Sequence, residues 1–254
     1  MIRPYILEET NWQAVKATTY DVAILAWGAT EAHNYHMPYG TDNYQMNYVV
    51  QSAAQQAWDQ GAKVIVLPAI HYGIQTGQLD IPFSMNILPS TQLQILKDIC
   101  DVLLRSGCHK LVIVNGHGAN HFRNIIRELS YHNPALFCCW LNWMEAVPLK
   151  EYFEKPGDHA DEFETSCMLE LRPDLVLPLQ VAGDGATKKF KIQALKSGWV
   201  WGQRAWTQIS KDTGSGNPAS ATAAKGKTFL AACSNHLGKF LVDLAKAEVN
   251  DMYE

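Results

Sequence analysis

Val22-Ala-Ile-Leu-Ala-Trp27-Gly-Ala-Thr-Glu31-Ala-His33 and, further along, Lys110-Leu-Val-Ile-Val114-Asn-Gly-His117-Gly118 are the stretches on which the fold turns. Each begins as a short β-rich apolar run, which reads as a buried strand, and each stops at a turn that carries glycine and histidine. Behind the first, Met46, Val49, Val50, Ala53 and Ala54 recur at helical spacing between Asp42 and about Gln60. Lys63 to Pro68 is a second apolar run, bounded by Gly61 and Pro68, and the Gly- and Pro-bearing loop beyond it to Ser90 is a candidate pocket wall. Ser90 and Thr91 are expected to cap a helix carrying Leu93, Ile95, Leu96, Ile99, Val102, Leu103 and Leu104, which stops at Gly107. A helix to about His132 and a strand over Leu136–Trp140 follow the second quoted stretch. Strands alternating with helices predict an α/β fold with a mostly parallel sheet and helices on both faces, in a single domain over residues 1–254. Ala182–Asn217, rich in Gly, Trp and Lys, reads as loops or an irregular hairpin before a closing helix from about Ala219 to Ala247.

The composition, 47% hydrophobic and 18% charged over 254 residues, is that of a globular chain. A formal charge of −4 with scattered Lys and Arg leaves no basic face for phosphates, so nucleic acid is not an expected partner. Neither an export leader in MIRPYILEETNWQ nor an apolar run of the roughly 18 residues a membrane span needs can be read, and a cytoplasmic location is expected. Cys100, Cys108, Cys138, Cys139, Cys167 and Cys233 lie mostly in apolar segments without a CxxC pair and read as reduced core thiols.

Ligands in a parallel sheet gather outside the C-terminal strand ends, which is where the polar clusters fall. Glu31 and His33 are two apart, so in extended geometry they point the same way, as two metal ligands must. Asp42 starts the following helix, where a carboxylate suits the first turn and is free to bridge cations. His117, between Gly116 and Gly118 at another strand end, is the natural fourth ligand. The turn lacks the spacing of a dinucleotide loop and the GK[ST] ending of a P-loop. A third cluster, Asp158-His159-Ala-Asp161-Glu162-Phe-Glu164-Thr-Ser, could be no more than an acidic helix start.

Read together, the three clusters resemble the motifs of the creatininase (creatinine amidohydrolase) family. Gly28-Ala-Thr-Glu31-Ala-His33-Asn-Tyr-His36-Met-Pro-Tyr-Gly-Thr-Asp42 is similar to its first motif and Asn115-Gly-His117-Gly-Ala-Asn120 to its second. His159-Ala-Asp-Glu-Phe-Glu164-Thr-Ser with Leu171-Arg-Pro-Asp-Leu resembles its third, and Gly216-Asn-Pro-Ala-Ser-Ala-Thr-Ala-Ala-Lys-Gly its last segment. The resemblance implies a three-layer α/β/α sandwich, two divalent ions (zinc or manganese, with iron as a further option), a small-molecule substrate and a homo-oligomer, commonly a hexamer. Carried over, Glu31 and His117 would bind one ion, His33 the other, and Asp42 both, with His159 beside the leaving group as a catalytic residue. Where creatininase has a further metal-binding glutamate, two positions after the histidine of the second motif, this chain has Ala119. Glu164 is expected to supply that carboxylate, with Glu162 as its alternate and a candidate catalytic residue. Where creatininase has gating tryptophans, the segment from Glu145 to Asp158 offers Tyr152 and Phe153, so Tyr152 is a candidate for substrate binding and creatinine is not the expected substrate.

The reaction expected is hydrolysis of an amide-type C–N bond by a metal-activated hydroxide, with His159 delivering a proton to the departing nitrogen. His36 and Asn120 would orient substrate or brace ligands. The same site could serve a formamide deformylase, a peptidase or an opener of cyclic sugars or lactones, and a binding module without catalysis is the alternative from another class. Trp199, Trp201 and Trp206 read as core or interface anchors, placed so that a pocket shared between subunits is allowed.

Overall fold

The computed structural model describes residues 2–254. Its sheet has four parallel strands, β1 (Val22–Trp27), β2 (Val64–Val66), β3 (Lys110–Asn115) and β4 (Phe137–Asn142), in the order β2-β1-β3-β4. A short helix α1 (Trp12–Lys16) precedes the sheet. Every residue of β1, β2 and β3 is buried, which explains why these runs are apolar apart from Lys110 and Asn115 at the two ends of β3. The two-residue alternation survives as a choice of face: Ile24, Ala26, Val112 and Val114 join one core cluster, while Leu25, Trp27, Leu111 and Ile113 join the other.

The first face is covered by α2 (Thr41–Asp59), which buries Met46, Val49, Val50, Ala53 and Ala54, and by α8 (Ala223–Lys246) with Phe229, Leu230, Cys233 and Leu237. Helix α5 (Glu162–Leu171) packs on α8 through Gly226, where a Cβ would stand 2.0 Å from the Ser166 carbonyl oxygen. Helices α3 (Pro89–Arg105) and α4 (Arg123–His132) cover the second face with Leu96, Cys100, Leu103, Ile125 and Leu129. The result is the three-layer α/β/α sandwich.

Two local expectations change. Neither Ser90 nor Thr91 caps α3, because the helix starts at Pro89, whose preset φ and missing N–H suit a first turn, and Leu88 is the cap residue without a side-chain bond. The fourth strand runs on to Asn142, pairing its end with Asn115 of β3. Between residues 182 and 217 the chain forms only two short helices, α6 (Gln193–Lys196) and α7 (Trp206–Ile209), joined by loops. All six cysteines carry free thiols, five buried and Cys139 partly so. Among the described residues no helix is long and apolar enough to cross a membrane.

Candidate metal centre

The chain leaves β1 for β2 on one side and reaches β3 on the other, so the strand order reverses between the C-terminal ends of β1 and β3. An open parallel sheet has its crevice at such a point. Glu31 and His33 leave β1 into this crevice, Asp42 opens α2 above it, and His117 lies two residues past β3; all four are buried. Gly116 lets the turn after β3 close onto α2, since a Cβ there would meet the Met46 Cβ at 3.0 Å and the Asp42 carbonyl at 3.3 Å. Gly118 faces open space, so only the first of the two glycines is needed for close approach.

Two non-glycine residues beside candidate ligands adopt left-handed backbone, Asn34 at φ 54° and Ala160 at φ 50°. Such conformations persist where surroundings hold them. Asn34 donates its N–H to the Thr213 hydroxyl (3.0 Å), and its side-chain amide exchanges bonds with the Gly183 backbone at 2.8 and 3.1 Å. The loops of residues 182–217 thus clamp the turn that carries His33.

Each of three histidines is tied by one ring nitrogen to a backbone carbonyl: His33 Nδ1 to Glu31 (3.1 Å), His117 Nε2 to Ile74 (3.1 Å) and His159 Nε2 to Ala32 (2.9 Å). A nitrogen that meets a carbonyl carries the hydrogen, which leaves the opposite nitrogen as a lone-pair donor. Those opposite nitrogens all face carboxylates. His33 Nε2 lies 3.0 Å from Asp42 Oδ1 and 3.8 Å from Glu164 Oε1; His117 Nδ1 lies 2.7 Å from Glu31 Oε1 and 3.2 Å from Asp42 Oδ2; His159 Nδ1 lies 3.8 Å from Glu31 Oε1. Lone pairs set against carboxylate oxygens out of reach of water call for a cation between them, a proton or a metal.

The groups assemble as three triads that could each hold a cation, with atoms within 4.8 Å of one another: Glu31–Asp42–His117, His33–Asp42–Glu164 and Glu31–His33–His159. Asp42 is common to the first two. Glu31 Oε1 and Asp42 Oδ2 are buried without a hydrogen-bond partner, so the donor set leaves two oxygens free for cations and fits the divalent ions that the resemblance implies. Burial opposes charge on His117, yet Glu31 and Asp42 hold its pKa well above the ordinary value, and Asp42 does the same more mildly for buried His33. For Glu164, burial pushes the carboxyl up to about 8, with Asp42 and Asp161 adding to it against His159.

Glu164 is held at the first turn of α5, where Asp161 caps the helix by accepting the Glu164 N–H (3.0 Å) and the Ala160 N–H donates to Glu164 Oε2. Glu162, two residues earlier and so on nearly the opposite side of the helix, points away from the cluster: it accepts from Lys225 Nζ (2.6 Å) and the Lys155 N–H (2.8 Å). Tyr152 is not brought to the site either; its ring packs edge-on to Phe229 at 5.3 Å in the core beneath α8. His36 is buried and bonded to the Thr165 hydroxyl (2.9 Å), and burial followed by the neighbouring His33 brings its pKa down to about 4. Asn120 spends its whole amide on protein: it accepts from Ile74 N–H and Gln92 and donates to Gly28 and Asn115, tying the two strand ends together.

A cavity of about 630 Å³ opens onto Glu31, His117 and His159. Its walls bring in residues that carried no motif. Gln78 donates to Glu31 Oε2, Trp206 leans on the His159 ring at 5.0 Å, and Arg204 lies over Trp206 while pairing with Asp158. The Gly- and Pro-bearing loop after β2 supplies Gln75 and Gln78, as its length suggested; Trp206 is buried, whereas Trp199 and Trp201 stand out 78% and 82% exposed.

A three-layer fold around a parallel sheet, with two buried histidine–carboxylate triads sharing one aspartate at its switch point, defines a metal-binding α/β protein. The profile of the creatininase family, described as creatinine amidohydrolase, matches residues 8–241, and the chain belongs to that family. A crystal structure from Bacteroides fragilis, named for creatinine amidohydrolase, superposes over 100% of both chains with TM-score 0.92 and 38% identity. The creatinine amidohydrolase of Pseudomonas putida is 26% identical over 200 residues, 69% of this chain and 75% of its own. The mycofactocin precursor peptide peptidase of Mycolicibacterium smegmatis is also 26% identical, over 213 residues, 82% of this chain and 79% of its own. Relatives at the same distance therefore bear the names of two different reactions.

Proposed function

We propose that the chain is a two-metal hydrolase that cleaves an amide-type C–N bond in a small molecule. The observation that carries this reading is the sharing of Asp42 by two triads, with one buried oxygen of Asp42 and one of Glu31 left without a hydrogen-bond partner. Glu31, Asp42 and His117 would hold one ion, and His33, Asp42 and Glu164 the other, so that Glu164 takes the place left open at Ala119. Mixed nitrogen and oxygen donors suit zinc, manganese or iron. When bound, such a pair lowers the pKa of a water toward neutrality and polarises a carbonyl.

The protein's own groups do the rest. His159 Nε2 is committed to the Ala32 carbonyl, so Nδ1, on the cavity side near Glu31, is the atom that holds a proton for the departing nitrogen. Trp206 against the ring keeps that nitrogen in place, and Gln78 fixes the orientation of Glu31. The cavity volume, about 630 Å³, suits a substrate of drug-like size, larger than creatinine, which keeps a peptide-like amide as the second reading. The exposed Trp199, outside both cavities, is suited to burial between copies in a homo-oligomer. Metal-reconstituted protein screened on cyclic amides, formamides, short peptides and lactones tests the activity: metal-dependent turnover of an amide class is expected, and turnover of lactones alone, or turnover indifferent to chelator, overturns the reading.

A further inference from the structure

The chain is acidic overall, yet Thr187-Lys-Lys-Phe-Lys-Ile-Gln-Ala-Leu-Lys196 places four lysines in one short stretch. None of the four makes an ion pair among the described residues, while elsewhere Arg3, Lys97, Arg172 and Lys225 all find carboxylates. Lys188, Lys189 and Lys196 line a second cavity of about 470 Å³. It shares Asp158, Trp201, Gly202 and Arg204 with the cavity that opens on the metal ligands, so a molecule at the cluster can extend over Trp201 into the lysines. Phe190, Leu195 and Ile209 give the second cavity an apolar part of its lining. Asp158 already neutralises Arg204, which leaves the lysines as the uncompensated charge of the cleft.

Resting on the hydrolase reading, we propose that the substrate is amphipathic and ends in an anion, a carboxylate or a phosphate, which Lys188, Lys189 and Lys196 hold while the scissile amide lies at the metal ligands. Three unpaired cations in a partly enclosed cleft attract an anion well beyond what a single surface lysine offers, and an apolar spacer of the substrate covers the exposed face of Trp201.

Metal-loaded protein and a series of hydroxamates test this, because a hydroxamate anchors one end at the metals. The series runs from glutaric to sebacic acid monohydroxamate, each as free acid and as methyl ester, with phosphonate-ended analogues to separate the two anion sources. At one chain length the free acid or phosphonate is expected to bind about fivefold or more tighter than the ester, with the advantage shrinking in salt. In the Lys188→Ala/Lys189→Ala/Lys196→Ala variant the ester should bind as before, which shows an intact fold and metal site, and the anionic advantage should vanish. Equal binding of acid and ester at every length, or an advantage that survives the triple substitution, overturns the proposal. Failure of every hydroxamate to bind removes the metal-site reading itself and this inference with it.

Discussion

At Asp42 two demands meet in one side chain: it sits in the first turn of α2, and both its oxygens face histidine nitrogens at 3.0 and 3.2 Å. The first role is why the position reads as an ordinary helix start; only its distance from Glu31 and His33 along the chain hinted at the second. His159 carries a different load, and His159→Ala is expected to keep the metal while kcat falls by about 10²–10⁴-fold, with metal content and turnover measured on the same preparation. Glu164 gives a proton signature. Its folded pKa of about 8 lies above its ordinary 4.5, so in metal-free protein the protonated form stabilises the fold below pH 4.5 and that contribution is lost as pH rises through 8. Metal must displace this proton, so affinity is expected to rise with pH up to about 8, and calorimetry in buffers of different ionisation heat should show proton release at pH 7 that Glu164→Gln reduces, His117 and His33 still giving up theirs. Unchanged proton release in that variant would remove Glu164 from the ligand set. The sequence pointed to Glu164 and Glu162 as a pair; two residues of helix put them on opposite sides of α5, which turns Glu162 to Lys225 and Glu164 to the cluster.

Among the elements, the strands and long helices were the readable part, because burial on both faces forces apolar runs in β1 and β3 and a 3.6-residue apolar period in α2, α3 and α8. Loops carry no such period. Gln75, Gln78, Arg204 and Trp206 reach the cavity from segments whose composition announces only irregular structure, and the signal that could have found Gln78 is the length of the loop after β2. Tyr152 illustrates the converse: an aromatic residue in a segment matched by position alone goes to the core, where Phe153, Phe163 and Phe229 already cluster. The packing of α5 against α8 depends on Gly226, so Gly226→Ala is expected to cost about 1–3 kcal/mol in denaturant unfolding, since the new methyl must push Ser166 and the ligand-bearing helix aside. An unchanged midpoint would mean that the two helices part freely, and Glu164 would then lose its fixed position.

For the whole molecule, three layers bring together candidate ligands that lie up to 133 positions apart, from Glu31 to Glu164, and the buried Glu31, His33, Asp42 and His117, from α2 and the loops after β1 and β3, leave two carboxylate oxygens without hydrogen-bond partners. Metal is therefore linked to stability: at a free concentration a hundredfold above Kd it should add about 2.7 kcal/mol, read as a higher Tm than in chelated protein. Identical melting with and without chelator would mean that the cluster is satisfied by protons alone. The most direct test of the shared aspartate is elemental analysis of the purified, metal-supplemented protein beside Asp42→Asn. About two divalent ions per chain, falling below one in the variant while the fold persists by circular dichroism, is the predicted result; a wild-type chain without metal, or a variant that keeps both ions, would contradict it.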